Sequence, residues 1–294
     1  MDKTTELFCL IDDFCQQLEP QLEQRMLDNA GKRRRHRACL MSRSEVATIV
    51  VLLHTMRGGQ FKEFYRGIVC RFMTSKFPRQ LIYPCFVVLM PRCATVLAAL
   101  FGSLKGACTG ISVADSTPLA VCHNLCTERH SVFKGIAQRG KSSSGWFYGV
   151  KLHAVINHQG ELLTIKLTPS KVDDRKRMRV IASCLSGKVH DDKHYISKDF
   201  ARKMKDTGIN IMTRVRKNMK EVVHSEFKQA LLRKRSLVEM VFDELKNLCK
   251  VKHIRHLSPM NFAANLMAGI AAYCLQPVKP HVALLDSRDT LAAN

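Results

Sequence analysis

The sequence has few acidic residues for its number of basic ones, and it lacks a long apolar segment. Asp and Glu total 25 against 47 Lys and Arg, so the 294-residue chain carries a formal charge of +22 at pH 7. The longest apolar run, Leu266–Leu275, is too short to cross a bilayer. Residues 1–10 contain acids and no basic segment, so we expect no secretory signal. The composition argues against a membrane protein, and the charge favours a polyanionic partner, most commonly nucleic acid.

Paired metal-binding cysteine motifs are also lacking, although the chain contains 12 cysteines. Most of them lie among apolar residues, and without a signal peptide we expect buried, reduced thiols. These are Cys9, Cys15, Cys70, Cys85, Cys184, Cys249 and Cys274. The group Cys122, His123, Cys126 and His130 leaves a structural zinc site open as the less favoured alternative, because no second pair of ligands follows it.

The first hundred residues have the periodicity of helices. Apolar residues from Phe8 to Leu18 recur at helical spacing, and Ser42–Glu45 is a capping-box pattern that starts a second helix. Further helices are predicted over 60–73 and 86–104. Short helices with basic residues between them favour a DNA-binding region of the helix-turn-helix kind, although other helical bundles have the same pattern.

A basic run, Lys32–Arg37, lies between the first two predicted helices. It is either a solvated linker or an arm that contacts phosphates, and the charge of the whole chain favours the arm. We therefore predict that Arg33, Arg34 and Arg35 contact DNA.

Beyond residue 110 the pattern changes to strands. Ile111–Asp115 is predicted to be a short strand ending in an acid, and residues 145–157 and 162–168 to be two longer strands joined by a turn. Residues 139–144 are basic and rich in serine, which is typical of an exposed loop. Strands over 188–192 and 209–215 then alternate with helices over 174–184, 197–207, 225–248 and 259–275. The fold class is therefore α/β, with three antiparallel strands followed by alternating helices and strands.

Three acids in this basic chain are candidates for chemistry. Asp115 and Asp192 end predicted strands, and neighbouring strands would bring their carboxylates together. Oxygen ligands of this kind suit Mg²⁺. On the long helix, Arg235, Glu239 and Lys246 fall on one narrow stripe at about 3.6 residues per turn, so the two cations would bind phosphates beside a metal. The alternative is an ordinary amphipathic helix with a surface ion pair.

The spacing of Arg235, Glu239 and Lys246 is similar to the C-terminal signature of DDE transposases from bacterial insertion sequences, although Leu232 replaces the Tyr of that signature. The chain resembles most the insertion-sequence group numbered 982. Similar stretches span roughly residues 30–280 and include residues 110–117, 121–124, 129–135, 139–141, 145–153, 168–176, 192–197, 216–219, 231–235, 255–262 and 275–277.

The resemblance implies an all-helical DNA-binding region over 1–105, a ribonuclease H-like catalytic domain over 106–278 and a disordered tail over 279–294. The implied partners are DNA at the terminal inverted repeats and at the target site. A homodimer that holds two DNA ends and a cytoplasmic location are further expectations.

The resemblance also implies that Asp115, Asp192 and Glu239 are the catalytic residues and bind Mg²⁺ or Mn²⁺. The expected chemistry is phosphoryl transfer assisted by two metal ions, in which DNA strands are first cut and then joined.

Four basic residues in the similar stretches are predicted to contact DNA: Lys134, Arg139, Lys141 and Lys151. Between them lies Trp146, the one tryptophan of the chain. For Trp146 we favour packing in the core over stacking on a DNA base.

Two residues beside the second acid depart from the pattern of the group. Asp191 and His194 replace a small residue and a glycine. Asp191 is an alternative metal ligand if the strand ends one residue early. The alternative functions are a decayed, non-catalytic DNA-binding derivative of a transposase and a metal-dependent nuclease that does not join strands.

Overall fold

The computed structural model describes residues 2–30, 39–109, 111–142, 145–171, 187–191, 209–213, 236–251 and 256–281. The chain divides into two units. We call residues 1–104 and 245–275 the helical unit, and residues 105–244 and 276–294 the sheet unit.

The helices and strands are numbered separately in chain order. The helices are α1 (Lys3–Ala30), α2 (Arg43–Thr55), α3 (Phe61–Phe64), α4 (Cys70–Phe72), α5 (Tyr83–Leu89), α6 (Ala94–Leu104), α7 (residues 236–243) and α8 (Pro259–Cys274). Wider π-helical turns are formed by Tyr65–Val69 and Glu244–Leu248, and 3₁₀ turns by Met90–Cys93 and Asn124–Cys126. The strands are β1 (Ile111–Cys122), β2 (Gln138–Ser142), β3 (Gly145–Asn157), β4 (Leu162–Pro169), β5 (Gly187–Asp191) and β6 (Ile209–Thr213).

Helix α2 is the centre of the helical unit. The Ser42 hydroxyl accepts the Glu45 N–H at 3.0 Å, and the Glu45 carboxylate accepts the Ser42 N–H at 2.6 Å, so the predicted capping box is confirmed. Nearly every later residue of α2 is buried, because α1 and α8 both pack against it. A helix that is apolar on all sides belongs inside a protein core.

The expectation that no segment is long enough to cross a membrane is wrong by length and composition alone, because the helical stretch Tyr83–Leu104 of this unit passes that test. In the structure 44% of its most apolar window is buried. Phe86, Met90 and Leu97 from this stretch belong to the same core as α2. Its apolar character is therefore used in packing the helical unit.

The sheet unit contains one mixed sheet. Strands β1, β3 and β4 are antiparallel neighbours, whereas β5 and β6 continue the sheet from β1 as parallel strands. The remaining strand, β2, pairs with the first five residues of β3, and β4 pairs with the rest of it. Three antiparallel strands followed by two parallel ones form the predicted ribonuclease H-like sheet behind a helical region, and this fold class is confirmed.

Strand β1 is longer than predicted, because it continues past Asp115 to Cys122. Thr117, Leu119 and Val121 are buried on alternate positions of this extension, which pairs with β3 up to Cys122 with one register shift between Ala120 and Cys122. Pro118 suits this place because β1 pairs with β5 only over Ile111–Val113 in the described residues, and proline is tolerated on an unpaired strand edge.

The predicted loop over 139–144 is wrong for its first part, since Gln138–Ser142 is strand β2. Only Gly140 has its backbone buried in β2, whereas Arg139 and Lys141 are exposed. A Cβ at Gly140 would lie 2.6 Å from the Cβ of Ser170, so glycine lets the strand lie close to its neighbours.

Several predictions fall outside the described residues. They concern the helices over 174–184 and 197–207, the basic arm with Arg33, Arg34 and Arg35, and the residues Asp192, His194 and Arg235. They stay predictions.

The units differ from the predicted domain boundaries in one segment. Residues 245–275 were assigned to the catalytic domain by resemblance, but they group with the helical unit. Ala264, Ala268 and Ala271 of α8 lie in the core that surrounds α2. Small side chains allow these helices to pack closely.

None of the 11 described cysteines forms a disulfide. Cys15 and Cys93 are buried, and burial raises their pKa values to about 11 and about 12. Such thiols stay protonated and unreactive. Cys9 and Cys85 are exposed, so the expectation of burial is wrong for these two.

A buried histidine joins two parts of the helical unit. His54 of α2 is 2% exposed, and its Nδ1 donates a hydrogen bond to the Cys249 carbonyl oxygen at 2.5 Å. Burial lowers the pKa of His54 to about 4, although its hydrogen bonds to Cys249 and Asn265 act in the opposite direction. His54 is therefore neutral in the folded protein at pH 7.

We predict that the helical unit loses stability as the pH falls from 6.5 towards 4. In this window the unfolded chain protonates His54 and the folded chain does not, so the free energy of unfolding falls by up to about 3 kcal/mol. His54→Asn keeps an N–H donor for Cys249 but cannot titrate, so its urea midpoint, followed by far-ultraviolet circular dichroism, should change less over this pH range. The control is the exposed His123→Asn. Equal pH dependence in the parent and His54→Asn would contradict the prediction.

Candidate functional site

Asp115 lies within β1, level with Ala154 of β3. It is half-buried and shares a strand face with the buried Val113 and Thr117. One oxygen of its carboxylate accepts the N–H of Ser116 at 2.7 Å, which fixes the orientation of the side chain. The sheet therefore holds this carboxylate rigidly at a position between core and solvent.

The carboxyl end of β5 lies beside the segment of β1 that leads into Asp115. Ile111, Ser112 and Val113 pair in parallel with Lys188, Val189 and His190. β5 continues to Asp191, which is level with Thr213 of β6. The strand was predicted to end at Asp192, which lies outside the described residues. The prediction that the two carboxylates meet requires β1 and β5 to be neighbouring strands, and they are neighbours.

Glu239 projects from the exposed side of α7, whose other side is buried. Helical spacing predicts that Leu237, Val238, Val241, Leu245 and Leu248 face the core. The first four are each at most 1% exposed, which confirms the prediction for them, whereas Leu248 is only half-buried. Glu239 belongs to the sheet unit, as Asp115 does.

The helical stripe predicted for Glu239 and Lys246 required a regular α-helix throughout. Residues 236–243 are α-helical, but Glu244–Leu248 form a π-helical turn. A π-turn contains more residues than an α-turn, so the side chains beyond it are rotated from the predicted stripe. The assumption of a regular α-helix is therefore wrong at Lys246, whose side chain is half-buried. Its DNA contact stays a prediction from resemblance.

Within the described ranges no three His, Cys, Asp or Glu side chains form a group that could hold a metal ion. Cys122, His123, Cys126 and His130 are all among the described residues and do not form such a group. His123 instead accepts the Leu125 N–H at 3.4 Å, and His130 packs its ring against Phe133. Asp192 lies outside these ranges, and the meeting of the three carboxylates stays a prediction.

His153 is a structural residue of the sheet. It is 3% exposed, and its Nε2 lies 2.9 Å from the Thr168 hydroxyl across strands β3 and β4. Lys151, two residues earlier on β3, is half-buried. His153 and Lys151 lie on the same strand face but differ in burial, because His153 is buried and Lys151 is half-buried.

The hairpin formed by β2 and β3 extends beyond the main sheet. β3 starts at Gly145, whereas its pairing with β1 starts at Tyr148. Trp146 therefore lies in a two-stranded extension and is 54% exposed. The favoured prediction of core packing for Trp146 is wrong, because β1 does not extend beside this part of β3.

Comparisons with known proteins give a family and weak structural likenesses. The family model described as Transposase DDE domain matches residues 105–259, which is more than half of the chain. Similar solved structures include a piggyBac transposase synaptic complex with hairpin DNA, at 11% identity over 83% of this chain and 68% of that chain, with a TM-score of 0.48. A simian T-cell lymphotropic virus intasome in complex with the PP2A regulatory subunit B56 gamma is 13% identical over 66% of this chain and 60% of that chain, with a TM-score of 0.25. A search of curated proteins found no match.

We predict that Gly149→Ala destabilises the sheet around the candidate site. A Cβ at this position would overlap the Leu119 carbonyl oxygen of β1, so the two strands would have to separate. We expect a loss of about 1–3 kcal/mol in the free energy of unfolding. Urea denaturation followed by the fluorescence of Trp146 measures it.

The matched control for this substitution is Gly102→Ala in α6, where an added Cβ meets no atom within 4 Å. This variant should leave the unfolding transition of the sheet unchanged. A Gly149→Ala protein as stable as the parent would contradict the steric argument.

Proposed function

This chain belongs to the transposases that carry a DDE domain, and from that membership we propose that it binds the terminal inverted repeats of an insertion sequence, cuts DNA there and joins the cut end to target DNA. The observation that carries the proposal is the parallel pairing of β1 with β5. It places the carboxyl end of β5 beside the strand that contains Asp115. Ligands and reacting groups collect at such strand ends in α/β sheets.

The proposed metal ligands are Asp115, Asp192 and Glu239. Asp115 is held rigidly by β1, Asp192 directly follows β5 in the sequence, and Glu239 lies on the exposed side of α7. Carboxylate oxygens are the ligands that Mg²⁺ and Mn²⁺ prefer, so the donor set fits these ions. Bound there, the ions would supply Lewis-acid stabilisation of the charge that develops during phosphoryl transfer. Asp191, the last residue of β5, is the alternative to Asp192 as a ligand.

The protein's own contribution is to bind and orient the DNA backbone. Lys134, Arg139 and Lys141 are exposed on the sheet unit, and Lys151 is half-buried on β3. Cations at these positions would neutralise phosphates and fix the register of the DNA relative to the carboxylates. Arg33, Arg34, Arg35, Arg235 and Lys246 are proposed as further phosphate contacts on the basis of sequence alone.

The proposal extends to the assembly and its location. Transposition brings two DNA ends together, which favours a homodimer with one protomer on each end. The protein would then act in the cytoplasm, bound to the DNA of the cell. These parts of the proposal derive from the resemblance and from the net charge of +22.

We predict that Asp115→Asn and Glu239→Gln lower cleavage of a labelled DNA end by about a hundredfold or more. Loss of a metal ligand removes several kcal/mol of transition-state stabilisation, and each 1.36 kcal/mol is tenfold in rate. The substrate is the DNA that flanks the coding region, incubated with Mg²⁺. The amides keep the shape of the carboxylates, so DNA binding should remain.

The matched control is Asp243→Asn, an exposed acid one helical turn after Glu239 on α7. It should cut DNA at the rate of the parent. Full cleavage by Asp115→Asn would exclude the proposed site. DNA binding by the parent without any cleavage would identify a non-catalytic derivative instead, and cleavage without joining of a pre-cut end would identify a nuclease.

A further inference from the structure

The β2–β3 hairpin has one exposed face on which cations and aromatic rings alternate. Strand register pairs Lys141 with Trp146 and Arg139 with Tyr148, so these four side chains share a face. The guanidinium carbon of Arg139 lies 5.1 Å from the centre of the Trp146 ring, and the Lys141 Nζ lies 5.9 Å from it. Trp146 is nevertheless 54% exposed. We call these four residues the hairpin face.

The opposite side of the hairpin explains why the hairpin face points outward. Phe147 is 7% exposed and Gly140 is buried beside it. A Cβ at Gly140 would contact Ser170 and Phe147, so this side is closely packed. Because strand side chains alternate, burying Phe147 directs Trp146 to the other side.

The position of Trp146 is also fixed from outside the hairpin. The Asn124 side chain donates a hydrogen bond to the Trp146 carbonyl oxygen at 2.6 Å. Tyr148, its neighbour on the hairpin face, packs edge-on against His130 at a ring distance of 6.0 Å. The hairpin face is therefore an ordered surface and is held by the segment over 124–130.

The charge around the hairpin face is strongly positive. Residues 123–151 contain five Lys or Arg and one acid, Glu128. Lys134, Arg139 and Lys141 are all exposed. A large exposed aromatic ring flanked by cations fits a polyanion that carries flat rings, which is the chemistry of a nucleic acid strand.

We propose that Trp146 is a stacking platform for an unpaired base of single-stranded DNA, with Arg139 and Lys141 binding the phosphates on either side. The inference deepens the proposed function, on which it rests for the choice of DNA. In a duplex the faces of the bases are covered by their neighbours, so an exposed ring selects a strand whose bases are unstacked. Cutting a DNA end and joining it elsewhere exposes such strands.

Stacking on Trp146 and attraction between cations and phosphates make separate contributions to the affinity for DNA. Stacking of a base on an aromatic side chain is worth about 1–3 kcal/mol, which is roughly a fivefold to 150-fold change in affinity. Attraction between cations and phosphates depends on salt, whereas stacking on Trp146 depends on the presence of a base. A strand without bases therefore retains the first contribution and loses the second.

The first test uses the fact that Trp146 is the one tryptophan of the chain, so its fluorescence reports on this site alone. The full chain is titrated in EDTA with an oligothymidylate of about 12 nucleotides, and with an abasic strand of the same length and charge. We expect the oligothymidylate to quench Trp146 and the abasic strand to bind more weakly without quenching. Anisotropy of a dye on the strand measures binding independently.

Variants separate the roles of the residues on the hairpin face. Trp146→Ala should lower affinity for the oligothymidylate about tenfold and leave affinity for the abasic strand unchanged, and Trp146→Phe should restore most of the loss. Arg139→Gln with Lys141→Gln should weaken binding to both strands and reduce the salt dependence by about one phosphate for each cation. The matched control is Leu167→Ala, which truncates another exposed apolar side chain of the same sheet.

Equal affinity of Trp146→Ala and the parent for the oligothymidylate would overturn the proposal, as would equal quenching by the abasic strand. Circular dichroism and the phenylalanine variant show whether a loss of binding reflects unfolding. Because the titration needs neither metal nor cleavage, its outcome is independent of the carboxylates. If the parent stacks on bases but does not cut DNA, the proposal for the hairpin face stands and the catalytic proposal is rejected. If the parent cuts DNA without stacking on bases, the catalytic proposal stands and the proposal for the hairpin face is rejected.

Discussion

The parallel pairing between β1 and β5 is the contact on which the candidate site depends. It joins Ile111–Val113 to residues some eighty positions later in the chain, and it sets the end of β5 beside the strand of Asp115. Antiparallel pairing of β1 with β3 supports the same strand from its other side. Asp115 itself pairs with Ala154 of β3 two residues beyond the last β1–β5 pair, so its backbone has a set position, which suits the fixed geometry that metal ligands need. Without this pairing, no second strand end would lie beside the strand of Asp115, and nothing in the sheet would distinguish this acid from the others.

The sheet also sets where the hairpin face lies. β3 is longer than β1 at its start, so Trp146 extends past the region that β1 covers. The buried Phe147 and the close approach at Gly140 then fix which side of the hairpin is exposed. One strand thus serves both proposals: its central part flanks Asp115, and its first residues form an aromatic and basic surface. Such a division is compatible with a protein that must hold DNA and position reacting groups on one framework.

Patterns within a short window, including the antiparallel β3–β4 hairpin, were predicted well, whereas strand lengths that depend on a distant partner were not. The alternation over residues 145–157 predicted the bounds of β3 correctly, and Ser42–Glu45 predicted the start of α2. The extension of β1 was missed because Ser116, Thr117 and Pro118 resemble a turn, although pairing with β3 carries the strand through them. β2 was missed because its one buried residue is a glycine, which gives no apolar signal. The π-turn at Glu244–Leu248 was missed because its spacing differs from α-helical spacing by too little to be seen in one sequence.

The sequence by itself determined the class of the protein, the choice of Asp115 and Glu239 as candidate acids, and the basic charge that favours DNA. Those features depend on residue type and spacing, which are properties of the sequence and do not change with the fold. Only the tertiary structure decided that β1 is a neighbour of β5, that residues 245–275 pack with the helical unit, and that Trp146 faces solvent. The physical reason is that burial and strand pairing are set by contacts between distant segments. A tryptophan has the same propensity in either environment, and the length of the neighbouring strand determines whether it is covered.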